Sequence, residues 1–263
     1  MPYRFAQERR DYSDFASGRV FHSLPGRTAF PVRLAEEIFQ RCFALLSEEA
    51  QHRQVTVYDP CCGGGSLLCA LAYLFRPALK SIVGSDADPD AVELARRNLA
   101  LLTPEGLAAR QNTLAELYVE HGKQSHADAL TSVDHFLEEL AETAHLGPLP
   151  AEAFQADALD GPAFEARLGQ GAVDIVIADL PYGNRSRWLD RENSGTTGDT
   201  SEEQHATPAA INHQLLSALK PLLATHAVAA IVTDKAQRAR HEAYDQVGTL
   251  LLGKRRVTFL RVR

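Results

Sequence analysis

Short apolar runs rich in valine and isoleucine alternate with helical segments along the chain, and this alternation constrains the fold more than any other feature. The runs lie at residues 55–58, 81–85, 173–178 and 227–233, and a polar turn follows each of them. Strands that alternate with helices pair in parallel and are covered on both faces, so they appear as continuous apolar runs. We therefore predict an α/β fold with a doubly wound, mostly parallel sheet.

Three helix starts are marked by a capping residue directly before a proline. Asp88, Thr103 and Thr207 each precede a proline, which is the arrangement preferred at a helix N-terminus. Two of these signals predict helices over residues 89–101 and 208–223.

Other stretches depart from the regular alternation. Residues 104–146 are acidic with apolar residues near helical spacing, whereas residues 183–206 are polar and lack periodicity. The tail over residues 244–263 has the pattern of two antiparallel strands joined near residues 253–256. We divide the chain into a single domain over 1–263 that carries a helical N-terminal extension (1–50), inserted acidic helices (104–146) and a mobile substrate loop (183–206).

Charge is distributed unevenly along the chain. The formal net charge is −7, yet residues 105–165 hold 12 acidic and 2 basic side chains, so the remainder has a small basic excess. In the last 30 residues, 8 basic side chains stand against 3 acidic ones, and residues 1–33 hold 6 arginines against 3 acids. A nucleic-acid partner is therefore compatible with the charge, despite its negative sum.

The cysteines and the N-terminus exclude several classes of protein. Cys42, Cys61, Cys62 and Cys69 show no metal-ligand spacing, so we expect four small buried thiols and no bound metal. No apolar run approaches the ~20 residues of a membrane span, and the N-terminus lacks the apolar core of a secretory signal. We expect a monomeric cytoplasmic protein without membrane contact.

A glycine-rich turn follows the first predicted strand. This strand ends in Asp59, and three consecutive glycines, Gly63 to Gly65, lead into a helix. Cofactors bind at this point of a doubly wound sheet, where glycine lets the backbone approach them closely. The dinucleotide motif G-x-G-x-x-G fails because Leu68 occupies its last position, and no P-loop motif is present. The turn indicates a cofactor other than NAD.

A carboxylate ends the second predicted strand. Asp86 follows the glycines at about the 20-residue spacing at which an ionised acid accepts hydrogen bonds from both hydroxyls of a ribose. Asp88 and Asp90 have simpler explanations, as a helix cap and as a first-turn acid. Asp86 is therefore the candidate for ribose binding.

The third long apolar strand ends in Asp179, Leu180, Pro181 and Tyr182, at the same edge of the predicted sheet. Asp179 and the carbonyl of Leu180 are suited to accept hydrogen bonds from the edge of a base. Pro181 would hold the turn rigid, and Tyr182 would offer a ring for stacking. The alternative is an ordinary turn whose tyrosine covers the core. Together with the two preceding motifs, the turn favours a base-binding site.

These motifs resemble those of class I S-adenosylmethionine-dependent methyltransferases, especially the enzymes that act on nitrogen. Residues 59–66 are similar to their D-P-x-x-G-x-G-[ST] motif, and residues 179–182 to their [DNS]-P-P-[YF] motif, with Leu180 in place of the first proline. The matching core covers about residues 50–100 and 153–233.

The resemblance implies a seven-stranded Rossmann-like sheet and catalytic residues at 179–182. It also implies that Asp86 binds the cofactor ribose and that Asp157 accepts from the adenine amine. The implied contacts to S-adenosylmethionine are Asp59, Cys61, Gly63, Gly65, Asp86 and Asp157.

Taken whole, the chain resembles the avilamycin-resistance methyltransferases, which modify a guanine of 23S ribosomal RNA. This resemblance implies a flipped guanine that stacks on Tyr182 and gives its N1 proton to Asp179, with N2 as the other possible target atom. It further implies that Arg27 pairs with the cofactor carboxylate and that the partner is 23S RNA or the large ribosomal subunit. Resistance to an orthosomycin such as avilamycin is the implied biological role.

Basic residues near the site are the candidates for phosphate contacts. They are Arg185, Arg187, Arg191, Lys235, Lys254, Arg255 and Arg256.

Other functions remain open from the sequence. DNA adenine-N6 and protein glutamine methyltransferases share the turn of acceptor, proline and aromatic residue. A non-catalytic RNA-binding module would tend to lose Asp86 or the Asp179 turn, and both are present. A nicotinamide oxidoreductase is disfavoured by the failed dinucleotide motif.

Overall fold

The computed structural model describes residues 3–25, 29–180 and 207–263. Within them the chain forms one seven-stranded sheet with helices on both faces. The strands are β1 (Val55–Asp59), β2 (Leu79–Asp86), β3 (Ala151–Gln155), β4 (Val173–Asp179), β5 (Leu223–Asp234), β6 (Tyr244–Leu252) and β7 (Arg255–Val262). The helices are α1 (Val32–Leu45), α2 (Glu48–Gln51), α3 (Ser66–Phe75), α4 (Pro89–Ala100), α5 (Pro104–His121), α6 (Gln124–Glu142), α7 (Gly161–Leu168) and α8 (Pro208–Leu219).

The strand order is β3-β2-β1-β4-β5-β7-β6. Strands β1 to β5 pair in parallel, whereas β7 is antiparallel to both β5 and β6. The direction of winding changes between β1 and β4, which is the point where open α/β sheets bind ligands. The predicted doubly wound sheet and the antiparallel pair at the C-terminus are confirmed.

The central strands are buried on both faces, as their apolar runs predicted. In β4, every residue from Val173 to Ala178 is buried. Ile175 and Ile177 pack in the core under α1, α3, α4, α5 and α6, while Val176 and Ala178 pack under α7 and α8. The two faces follow from the alternation of side chains along a strand.

The three predicted helix caps are present. The side chains of Asp88, Thr103 and Thr207 accept from backbone N–H groups in the first turns of α4, α5 and α8. Helix α8 ends at Leu219, earlier than predicted, and a short 3-10 turn that contains Pro221 follows it. Proline lacks the N–H that would continue the helix.

Helices α5 and α6 occupy most of the acidic stretch 104–146, and they pack against each other. The ring of Phe136 in α6 lies 4.3 Å from that of Tyr73 in α3 and also contacts Phe15 and Phe21. The apolar stripe of α6 is therefore covered by a helix and by the N-terminal segment.

The expected helical character of residues 1–50 was wrong for much of that stretch. Residues 3–25 contain one 3-10 turn, Ser13–Phe15, and the first α-helix begins at Val32. The carboxylate of Glu37 accepts hydrogen bonds from the N–H groups of Arg4, Phe5 and Ala6 at 2.6–2.8 Å. An extended segment can lie on the body of the protein because a buried side chain satisfies its amides.

None of the described helices combines the length and the apolar composition that crossing a bilayer requires.

Candidate active site at the carboxyl edge of the sheet

Four aspartates gather where the parallel strands end. Asp59, Asp86 and Asp179 are the last residues of β1, β2 and β4, and Asp157 lies two residues beyond β3. The Cys61 thiol lies among them: its pKa is raised by burial and, to a lesser extent, by the charges of these four carboxylates. The structure therefore brings together the acids that the sequence singled out.

Two of these acids project to the same face of the sheet. Asp59 has the alternation parity of Val57, and Asp179 that of Ile177; both apolar residues belong to the core beneath α3 and α4. The carboxylates therefore lie on the side of the sheet where the glycine-rich turn enters α3.

The glycines of this turn serve two different purposes. Gly63 has φ +52°, and a Cβ built on it would meet no atom of the described residues within 4 Å, so on their side its backbone borders open space. Gly65 has φ +73°, and a Cβ there would lie 3.3 Å from the Cα and Cβ of Ala95 in α4. Gly63 is thus open to a ligand, whereas Gly65 allows α3 and α4 to pack closely.

Asp86 is held in place by the backbone around it. Its Oδ2 accepts from the N–H of Gly63 at 2.9 Å, and its Oδ1 accepts from the N–H of Asp88 at 3.0 Å. Each carboxylate oxygen keeps a second lone pair. The half-buried side chain is therefore both oriented and still able to accept further hydrogen bonds.

Asp59 is more deeply buried than a residue that contacts a ligand directly. It is 2% exposed, and its Oδ1 accepts from the N–H of Cys61 at 3.0 Å. Burial raises its pKa well above the usual value, and the charges of Asp179 and Asp86 add to this effect. Asp59 supports the turn from beneath. Cys42, Cys62 and Cys69 are buried as expected, whereas Cys61 as a residue is half-buried.

Asp157 is the last of the four carboxylates and lies beside the end of β2. It is half-buried, and its Oδ1 accepts from the N–H of Leu159 at 2.9 Å. The neighbouring Ala156 N–H donates to the carbonyl of Asp86 at 3.1 Å, which ties this loop to the end of β2.

Asp179 combines burial with an unused acceptor. Within the described part of the chain its Oδ1 is buried and has no hydrogen-bond partner. Burial raises its pKa to about 6, and the positive charge of Arg255 opposes that increase. Leu180 is 3% exposed, and its N–H donates to the carbonyl of Val232 at 3.1 Å. An ionised Asp179 at this place is a competent proton acceptor.

Four predicted basic residues meet beyond β5. The N–H of Lys235 donates to the carbonyl of Lys254 at 2.7 Å, and the Nε of Arg256 donates to the carbonyl of Lys235 at 3.1 Å. Lys235 and Lys254 are exposed, whereas Arg255 and Arg256 are half-buried. Because β5 ends at Asp234 opposite Arg255, this group borders the same edge as the carboxylates.

Six candidates lie outside the described residues: Arg27, Pro181, Tyr182, Arg185, Arg187 and Arg191.

Sequence reasoning missed residues that join the N-terminal segment to the glycine-rich turn. The side chain of Asn98 is buried; it donates to the carbonyl of Gly64 at 2.8 Å and accepts from the N–H of His22 at 2.7 Å. The N–H of Phe30 donates to the Oγ of Ser66 at 3.1 Å. The only available signal was an asparagine within a helical pattern, which does not reveal partners so distant in sequence.

Two other features lie away from this edge. A cavity of about 330 Å³ lies between α3, α5 and α6 and is lined by apolar residues such as Tyr73 and Leu140. His213, His241 and Glu242 form a cluster near α8. Both ring nitrogens of His241 already have partners, the N–H of Ala243 at 3.0 Å and the Oγ of Ser217 at 2.9 Å, so this ring offers no free lone pair.

Known proteins that resemble this chain are rRNA methyltransferases. The family model described as "rRNA methyltransferase AviRa" matches residues 1–255. The chain is 40% identical to the 23S rRNA (guanine(2535)-N(1))-methyltransferase of Streptomyces viridochromogenes over 259 residues, which are 98% of this chain and 95% of that protein. Two solved structures of the rRNA methyltransferase AviRa from the same organism share 39% identity with a TM-score of 0.82, and cover 98% of this chain and 95% and 96% of their own. The chain therefore belongs to the AviRa family of rRNA methyltransferases.

Proposed function

We propose that this protein transfers a methyl group from S-adenosylmethionine to N1 of a guanine in 23S ribosomal RNA. The observation that carries the proposal is the buried oxygen of Asp179, which has no hydrogen-bond partner among the described residues, at the ligand-binding edge of the sheet. A guanine N1 bears a proton that must leave before the nitrogen can accept a methyl group, and Asp179 is placed to accept it. The Streptomyces relative, which is named for the same atom, supports the choice of N1 over N2.

The residues at this edge are suited to S-adenosylmethionine. The open backbone at Gly63 allows close approach, and the oriented Asp86 is placed for the ribose hydroxyls. We assign Asp157 and Cys61 to the adenine side of the cofactor, and Arg27 to its carboxylate. The excess of carboxylates favours a positively charged ligand. The bound cofactor supplies a methyl group on a positive sulfur, which needs no further activation.

The remaining steps belong to the side chains of the protein. Asp179 and the Leu180 carbonyl would hold the Watson–Crick edge of a flipped guanine, with Pro181 and Tyr182 completing the turn and the stack. Positioning of the base next to the methyl donor would supply much of the rate. The exposed Lys235 and Lys254, with Arg256, Arg185, Arg187 and Arg191, would contact phosphates of 23S RNA or of the large subunit. We propose that the protein acts as a cytoplasmic monomer and confers orthosomycin resistance.

Methyl transfer from radiolabelled S-adenosylmethionine to unmodified bacterial ribosomal RNA tests this function. We expect label in 23S RNA and 1-methylguanosine after nuclease digestion and mass spectrometry. Recovery of 2-methylguanosine would show that N2, and not N1, is the target atom. Binding of S-adenosylhomocysteine is measured separately by calorimetry. If the cofactor site is intact and label appears only in DNA or protein fractions, one of the alternative methyltransferase classes replaces the proposal.

The rate should fall in mild acid because only an ionised Asp179 accepts a proton. Burial raises its pKa to about 6, and the positive charge of Arg255 from β7 opposes this increase. Asp59 from β1 is the other charged neighbour, and its own pKa is raised in part by the charge of Asp179. Since kcat/KM reports ionisation of the free enzyme, we expect a plateau above about pH 7 and a roughly tenfold loss per pH unit below the pKa. Steady-state rates on an RNA fragment across this range provide the measurement. A profile that stays level down to about pH 4.5 would remove Asp179 from this role.

A further inference from the structure

Arg255 lies at the same edge and on the same face of the sheet as Asp179. It is the first residue of β7 and pairs with Asp234 of β5, while Asp179 of β4 pairs with Val232. Directly opposed residues of paired strands share a face, and so do residues two apart along one strand. Asp179 lies opposite Val232, and Arg255 lies opposite Asp234, two residues further along β5. Both side chains therefore lie on the same face as Val232, which is the face where α3 begins.

One ring contact and one electrostatic effect locate the Arg255 side chain. Its guanidinium carbon lies 5.9 Å from the centre of the Phe30 ring, and the backbone of Phe30 is bonded to Ser66 at the start of α3. Its charge also lowers the pKa of Asp179 against the larger effect of burial. The guanidinium therefore lies near Phe30 and close enough to Asp179 for its charge to act on that carboxyl group.

Arg255 and Asp179 each bury a polar atom without a partner. In the described residues, the Nε of Arg255 and the Oδ1 of Asp179 are two of only three such side-chain atoms. No ion pair within these residues joins Arg255 to Asp234, its neighbour across the strands. Because buried polar atoms are nearly always hydrogen-bonded, an unused donor near an unused acceptor points to a ligand that supplies both partners.

Guanine presents the complementary pair of groups. Its N1–H is a donor and its adjacent O6 is an acceptor, whereas adenine carries an acceptor at N1 and an amine donor at position 6. When the N1–H bond breaks, the proton passes to Asp179, and the electron pair stays on the base and is shared with O6. A cation beside O6 stabilises this charge as it develops.

We propose that Arg255 is a catalytic and specificity-determining residue that donates a hydrogen bond to O6 of the target guanine. This inference rests on the proposed function, and it moves Arg255 from the phosphate-binding group, where the sequence placed it, to the base. The Nε atoms of the hairpin support the reassignment: among the described residues that of Arg255 is buried without a partner, whereas that of Arg256 donates to the carbonyl of Lys235, and Lys254 is an exposed cation suited to phosphate.

Substrate analogues test the assignment with the full-length protein. The RNA is a 23S fragment that contains guanosine, inosine or 6-thioguanosine at the methylated position. Inosine keeps O6 and N1–H but lacks the 2-amino group, and 6-thioguanosine replaces O6 by a weaker acceptor. The protein variants are Arg255→Gln, Arg255→Lys and the matched control Lys254→Gln.

We expect Arg255→Gln to lower kcat on guanosine about 10²–10³-fold, as loss of one donor to a developing oxyanion does. Its preference for guanosine over 6-thioguanosine should fall at least about tenfold relative to wild type, while the ratio of guanosine to inosine stays unchanged. Because intrinsic differences in N1 acidity affect all variants equally, they cancel in this comparison. Arg255→Lys should retain an intermediate preference.

The salt dependence of RNA binding separates a base contact from a phosphate contact. We expect Lys254→Gln to reduce the slope of log K against log salt by about 1 and to keep the wild-type preference for guanosine over 6-thioguanosine. Arg255→Gln should leave the slope unchanged.

An unchanged preference in Arg255→Gln, or a reduced salt slope with normal kcat, would overturn the role of Arg255. If Arg255→Gln does not fold, an unchanged preference in Arg255→Lys has the same consequence. Absence of methylation by the wild-type protein would instead reject the proposed function, before any variant is compared.

Discussion

Replacement of Asp179 by asparagine should lower kcat by about 10²–10⁴-fold, the range for loss of a general base. Asparagine keeps the shape and the acceptor oxygen of the side chain but cannot take the N1 proton. Folding raises the pKa of Asp179 above its ordinary value of 3.8, so the ionised form is less favourable in the folded protein than in the unfolded chain. The neutral variant should therefore be at least as stable as wild type at neutral pH, and its lost activity should not reflect unfolding.

Single-turnover methylation with both substrates saturating measures this effect, with thermal unfolding and S-adenosylhomocysteine binding as checks. Asp234→Asn is the matched control, because Asp234 ends the neighbouring strand β5 and, among the described residues, its side chain accepts a hydrogen bond only from the N–H of Ala236, at 3.0 Å. We expect the control to retain kcat within about threefold, a change of under 1 kcal/mol in the barrier. Near-normal turnover by Asp179→Asn would show that the N1 proton leaves by another route.

Replacement of Glu37 by alanine should destabilise the protein by about 3–5 kcal/mol, the cost of removing one partner from a buried charged network. Its side chain is 0% exposed and accepts from three backbone N–H groups of the N-terminal segment and from the Nε of Arg41 at 2.6 Å. The segment should detach and remove Phe15 and Phe21 from their contacts with α3 and α6.

Urea unfolding and amide exchange of residues 3–25 provide the measurement. Burial alone would raise the pKa of Glu37, but the hydrogen bonds from Arg4, Ala6, Phe5 and Arg41 outweigh it and lower the pKa below 4.5. The stabilisation that the Glu37 carboxylate provides is therefore complete above its ordinary pKa of 4.5. It is lost as the pH falls through the lower pKa that Glu37 has in the folded protein. The difference between wild type and Glu37→Ala should shrink accordingly in acid.

Glu138→Ala is the matched control for this prediction, since Glu138 is exposed on α6. A surface change of this kind should alter stability by no more than about 0.5 kcal/mol. Equal stability of Glu37→Ala and Glu138→Ala would mean that the N-terminal segment is held by its apolar contacts alone.

The sequence by itself determined the sheet, the helix caps and the position of the candidate site. Apolar runs, a capping residue before proline, and consecutive glycines act within a few residues, so they are readable without knowledge of the fold. Parallel strands end at one edge, and for this reason Asp59, Asp86 and Asp179 had to approach one another. The match of the motifs to a methyltransferase family then followed from residues already near in sequence.

The tertiary structure alone decided which of these residues are buried and which charges they meet. Asn98 and His22 are 76 residues apart, and Glu37 lies more than 30 residues from the amides that it binds, so no local pattern joins them. Arg255 looked like one of several surface cations until the order β4-β5-β7 placed it on the face of Asp179. Burial and neighbouring charge set the pKa of a carboxyl group. Both depend on strand order and on the face of the sheet, which are properties of the folded chain and not of its local sequence.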